Sequence, residues 1–227
     1  MSSPQDLFIK GSWASGYGSE FQSINPATKE TIWKGHAASE SDVTRAVLSA
    51  KNAFDLWSEL PIKDRIRFLE NYAEQLKLCK GILIETISQE TGKPLWDATG
   101  EYNALLGKIP LTIQAYQERC LESTLEIPTG KSITRHRPYG VMAVLGPFNF
   151  PAHLPNGHIA PALLAGNTIV FKPSEMTPKV GYLLAKCIEK AHFPEGVFNL
   201  VQGKAQTGKY LSSHSDINGL LFTGSAS

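Results

Sequence analysis

Four short segments of this 227-residue chain carry the side chains best suited to chemistry: GPFNFP (146–151), KPSE (172–175), QGKAQTG (202–208) and TGS (223–225). Each follows a short apolar run. The last one shows the pattern well. Leu220, Leu221 and Phe222 read as the end of a buried strand, and Thr223, Gly224, Ser225, Ala226 and Ser227 as a tight turn opening a helix. A strand that runs through Gly and Ser into a helix N-terminus can bind an anion, because the first helical N–H groups lack partners. Taken singly, these residues also have plain readings. Asn149, between Pro147 and Pro151, can cap a turn; Lys172 can be a solvated charge; Glu175 can be a carboxylate favoured by a helix dipole. Their convergence is the signal, since four successive strands deliver polar or glycine residues to one edge.

Other chemistries fail on residue type or spacing. GKAQTGKY (203–210) nearly fits the phosphate-binding G-x-x-x-x-G-K-[ST] pattern, but Tyr210 stands where a small hydroxyl must hold magnesium. His153 and His158 are five apart with Pro155 between them, so they do not share a helical face as zinc ligands. There is no G-x-S-x-G nucleophile elbow. Cys79, Cys120 and Cys187 are odd in number and widely spaced, neither a disulfide framework nor a metal site. They read as small buried residues, and the carboxylates of the early helices read as solvated faces.

The elements that must position these segments change character along the chain. Up to about residue 125 the pattern is helical. Ser39 and Asp42 resemble a capping box, followed by Val43, Val47, Ala50, Phe54 and Trp57 at helical spacing. Pro61 opens a second helix, with Ile62, Ile66, Leu69, Ala73 and Leu76 along one stripe. Gly81 marks a possible interruption, and TGKP (91–94) stops the next segment. A further helix is expected over 96–121. Residues 125–138 then form two short runs around Pro128, Thr129 and Gly130, which predicts a hairpin. From Gly140 short apolar strands alternate with helices: strands at VMAVLG, TIVFKP, VFNLVQG and GLLFTG, and helices over 157–165, 177–191 and 205–213. That alternation predicts an α/β fold with a parallel, Rossmann-like sheet covered on both faces, whose ligands sit at the carboxyl ends of the strands. The expected division is a helical part (1–124), the hairpin (125–138) and a partial α/β unit (139–227).

Composition agrees with a globular protein: 42% apolar, 19% charged, formal net charge +1. No basic run interleaves with aromatics, so no nucleic-acid partner is expected. The N-terminus lacks the features of a secretory signal, and no apolar run approaches the ~20 residues of a membrane span. A cytoplasmic protein with free thiols is the expectation.

GPFNFP followed by PALLAGNTIVFKPSEMTP, then GVFNLVQG and LLFTGS, resembles the aldehyde dehydrogenase superfamily in order and spacing, and ETGKP (90–94) matches as well. Within it, residues 137–167 are most similar to the N-succinylglutamate 5-semialdehyde dehydrogenases of arginine catabolism, notably in HLPNGHI (153–159). The resemblance implies an N-terminal, NAD-binding portion with Asn149 as the side-chain donor of an oxyanion hole. It implies cofactor contacts along Leu145, Gly146, Pro147 and Phe148, at Lys172, Ser174 and Glu175, at Gly203, and at Phe222, Gly224 and Ser225. His153, Asn156 and His158 follow Asn149 closely enough to contact a small aldehyde, though each can equally pack the helix start. Lys204 departs from the glycine that many relatives carry. The resemblance further implies a homo-oligomer joined through the hairpin. It also places the nucleophilic cysteine and general-base glutamate in a second domain beyond Ser227, which leaves this chain inactive alone. The rival reading is a non-catalytic binding or structural unit.

Overall fold

A computed structural model describes residues 6–224. Its elements run β1 (Leu7–Ile9), β2 (Ser12–Ala14), β3 (Glu20–Ile24), β4 (Thr31–His36), α1 (Glu40–Glu59), α2 (Ile62–Leu78), α3 (Lys80–Thr91), α4 (Leu95–Arg119), β5 (Ser123–Ile127), β6 (Gly130–Thr134), β7 (Val141–Leu145), α5 (His153–Leu164), β8 (Thr168–Lys172), α6 (Pro178–Lys190), β9 (Phe198–Leu200), α7 (Ala205–Ser212) and β10 (Gly219–Phe222). The main sheet has the order β10-β7-β8-β9-β1-β2. Its first four strands are parallel, as the alternation of strands and helices requires; β1 joins antiparallel to β9, and β2 forms the edge.

Strand alternation divides the core. Val141, Ala143, Val170 and Val201 point to one face, where they meet Val43, Ala46, Val47 and Ala50 of α1 and Leu211 of α7. Met142, Val144, Ile169, Phe171, Phe198 and Leu200 point to the other and pack with α2 to α6. Both faces are therefore covered, which is why these strands read as continuous apolar runs. The capping box is present: the Ser39 hydroxyl accepts from the Asp42 N–H at 3.2 Å, and the Asp42 carboxylate from the Ser39 N–H at 2.9 Å.

Three expectations are corrected. Residues 7–36 are not helical; they contain β1 to β4, and the burial of β3 alternates around Phe21 and Ser23 as a half-buried strand must. The helix expected from Gly157 starts one turn earlier, at His153, because Pro155 sits in its first turn, where a missing N–H costs nothing. The early carboxylates are not all solvated, since Asp42, Glu90 and Glu101 are buried. Asn199 ties the sheet's far edge: its oxygen accepts from the Lys10 N–H at 3.1 Å, while its NH2 donates to Ile169 and Gly196 carbonyls. β5 and β6 form a separate exposed pair. Among the described residues no helix is long and apolar enough to cross a membrane.

Candidate functional site

The parallel register aligns the strand ends. Leu145 lies opposite Lys172 and Phe222 opposite Leu145, so the loops after β7, β8 and β10 leave from one level. The Gly146 N–H donates to the Lys172 carbonyl at 3.0 Å, and the Thr223 N–H to the Leu145 carbonyl at 3.3 Å. Gly146 has no room for a side chain, since a Cβ there would come within 2.8 Å of Pro155. The loop carrying Pro147, Phe148 and Asn149 is thereby pressed against the start of α5.

Asn149 and Phe148 are exposed on that loop. The Asn149 carboxamide oxygen accepts from the Phe150 N–H at 3.1 Å, which leaves its NH2 as the group available to a ligand. Glu101, on α4, fixes the loop's far end. Its fully buried carboxylate accepts from the N–H groups of Ala152 and His153 at 2.9 and 3.2 Å, and from the Lys93 ammonium at 2.8 Å. A carboxylate at the first orphan N–H groups of a helix is a favourable cap. Lys93 in turn stands 4.0 Å over the Phe150 ring.

Lys172 ends β8 almost buried. Its ammonium donates to the carbonyls of Pro173 and Gly203, both at 2.7 Å, with the half-exposed Glu175 carboxylate 3.9 Å away. Burial pushes its pKa down to about 8, against the pull of Glu175. Gly203 adopts φ +151°, and a Cβ there would collide with Thr207. Only glycine fits that turn. Thr207 donates to the Ala38 carbonyl at 2.9 Å, so the loop after β9 is packed against the N-terminal segment and is no open phosphate cradle. Ser174 accepts from the Met176 N–H within the turn. Phe222 and Gly224 are exposed at the end of β10, and Ser225 lies outside the described residues.

The three residues expected at an aldehyde separate. His153 is half-buried at the head of α5, edge-on to Phe150 with ring centroids 6.3 Å apart. His158 faces β10 instead, its Nε2 2.9 Å from the Thr223 hydroxyl. Burial, and then the Lys108 charge, hold both imidazoles below their ordinary range. Asn156 corrects the sequence reading. It is fully buried and its NH2 donates to the Leu105 carbonyl at 3.2 Å, so it joins α5 to α4 and offers no surface to a ligand.

Sequence reasoning missed Glu101, Lys93 and Lys108. A signal for Glu101 existed, because it falls on the stripe of Ala98, Tyr102, Leu105 and Ile109 that α4 buries. None of the cysteines lies at the strand ends. Burial and the neighbouring Cys79 push the Cys187 thiol up, and Cys120 caps the C-terminus of α4.

Residues 13–227 match the family described as the aldehyde dehydrogenase family. The chain belongs to that family. Among solved structures, an aldehyde dehydrogenase from Bartonella henselae is similar at 32% identity and a TM-score of 0.93, over 99% of this chain and 48% of that one. PnpE, in complex with nicotinamide adenine dinucleotide, is similar at 32% identity and 0.90, over 99% and 46%. The NADP-dependent glyceraldehyde-3-phosphate dehydrogenase from Bacillus halodurans C-125, complexed with NADP, follows at 30% identity and 0.91, over 99% and 48%. This aldehyde dehydrogenase chain thus spans about half the length of these relatives. Its fold is that of their cofactor-binding domain, and both NAD and NADP complexes occur among them.

Proposed function

We propose that this chain is the cofactor-binding portion of an NAD-dependent dehydrogenase that oxidises N-succinylglutamate 5-semialdehyde to its carboxylate. The observation that carries the reading is the alignment of Asn149, Lys172, Glu175 and Thr223 at one edge of a parallel sheet. The substrate assignment is supported by residues 137–167, whose pattern resembles the succinylglutamate branch of the family.

The residues present fit a dinucleotide. Lys172 uses two of its three N–H donors on main-chain carbonyls and keeps one for a ribose hydroxyl. Glu175, half-exposed beside it, accepts from ribose hydroxyls and repels a 2′-phosphate, which favours NAD over NADP. Gly146 and Gly203 hold the turns that carry these groups, with Leu145, Pro147, Phe148, Phe222 and Gly224 at the same strand ends. NAD, when bound, supplies the hydride acceptor. Asn149 donates its NH2 to the aldehyde oxygen as negative charge develops there. The family resemblance supports a nucleophilic cysteine and a water-activating glutamate supplied by a second domain of the full-length enzyme.

Steady-state kinetics of the full-length enzyme test this. The expected result is a kcat/KM for the succinylated aldehyde at least about tenfold above that for propanal, and a preference for NAD that falls in Glu175→Gln by about ten- to a hundredfold. Equal efficiency with both aldehydes would overturn the substrate, and equal use of NADP by the wild type the cofactor. The 227-residue chain alone is expected to produce no NADH.

A further inference from the structure

Lys108, in the middle of α4, is half-buried, yet among the described residues it has neither an ion pair nor a hydrogen bond. The nearby acids are engaged elsewhere. Both oxygens of Glu101 are occupied, by Lys93 and by the head of α5, and Asp97 lies 3.9 Å from Lys93.

Its surroundings suit a ligand. Lys108 lies against α5 at Gly157, where a Cβ would sit 3.6 Å from the lysine Cε, in ordinary van der Waals contact. Between α4 and α5 runs a groove of about 450 Å³ lined by Lys108, Gly157, Leu111, Tyr116, Pro161 and Arg119, among others; no Asp or Glu lines it. That volume is within the ~300–1,000 Å³ usual for small-molecule sites. His153, Gly157 and Pro161 are spaced four apart on α5 and share one side of the helix. His153 stands at the head of that side, beside Phe150 and the Asn149 loop. Gly157 is about 6 Å further along the axis. An aldehyde held by Asn149 and extended along this side of α5 runs toward Gly157 and the lysine packed on it. Lys108 and Arg119 are the basic residues that line this groove.

From this placement we infer that Lys108 is a specificity-determining residue, binding a carboxylate on the tail of the aldehyde whose oxygen Asn149 receives. The inference rests on the proposed oxidation of an acidic aldehyde and moves its recognition from the histidines to a lysine on another helix. In the full-length enzyme, Lys108→Met is expected to lower the preference for the succinylated aldehyde over propanal, taken as the ratio of KM values, by about ten- to a hundredfold. Lys108→Arg, which keeps the charge, is expected to restore most of it. An unchanged ratio in Lys108→Met would overturn the inference, as would a ratio that falls equally in both variants. A wild type without preference for the acidic aldehyde would instead sink the substrate assignment. Glutarate, as a competitive inhibitor of propanal oxidation, then tests Lys108 separately. Weaker inhibition of Lys108→Met than of wild type supports the site, and equal inhibition rejects it.

Discussion

Lys172 donates to two carbonyls whether or not it is charged, and this makes its third proton informative. The neutral amine has two N–H donors, and the Pro173 and Gly203 carbonyls take both. With a pKa pushed down to about 8, the donor left for a ribose hydroxyl is present below that pH and lost above it. The Kd for NAD in the full-length enzyme is therefore expected to rise severalfold between pH 7 and pH 9.5. Lys172→Met should bind weakly and without that dependence, measured by calorimetry. A flat wild-type profile would refute the assignment. The position of Lys172, Glu175 and Asn149 just past strand ends was legible because a strand's end is visible in sequence. Asn156 was not, because its partner is the Leu105 carbonyl some fifty positions away. Lys108 was missed for a related reason: it reads as an ordinary helical lysine until α5 is laid against it.

At the level of elements, two buried carboxylates join helices. Glu101 caps α5, and Glu90 caps α6 by accepting from the Lys179 and Val180 N–H groups at 3.0 and 2.9 Å, with the Ser23 hydroxyl at 2.6 Å. Burial raises the Glu90 pKa to about 7, outweighing those bonds. Between the unfolded value near 4.5 and about 7, the folded state binds more protons than the unfolded one. Stability therefore falls as pH rises through that window and levels off above it. The contribution is at most on the order of 3 kcal/mol. Urea unfolding of Glu90→Gln should show a smaller loss of stability from pH 5 to pH 7.5 than wild type, and parallel slopes would exclude Glu90 as the source. The helices around these caps were largely readable, since their stripes and the Ser39 box are local. The caps were not, although a Glu on an apolar stripe, as at positions 90 and 101, marks a carboxylate that must find donors inside.

At the scale of the molecule, the parallel strands followed from their alternation with helices, whereas the antiparallel β1 and β2 escaped notice. Three-residue strands carry too little period-two pattern to register, and only their long-range pairing identifies them. Leu125 and Ile127 share one face of β5 and are 67% and 39% exposed, an unusual place for large apolar residues. If this face joins subunits, replacing both with Glu should reduce the mass of the full-length enzyme in light scattering. An unchanged mass would remove the hairpin from the assembly. The latch at Asn199 bears on how the molecule comes into being. Lys10 and Asn199 are 189 residues apart. At a ribosomal pace of about 5–20 residues per second, that separation is roughly ten to forty seconds of synthesis. Through that interval β1 and its neighbour β2 have emerged, but β9, on the other side of β1, has not. The first segment of the sheet to be translated is thus among the last to dock, and the edge of β1 that meets β9 stays open until then.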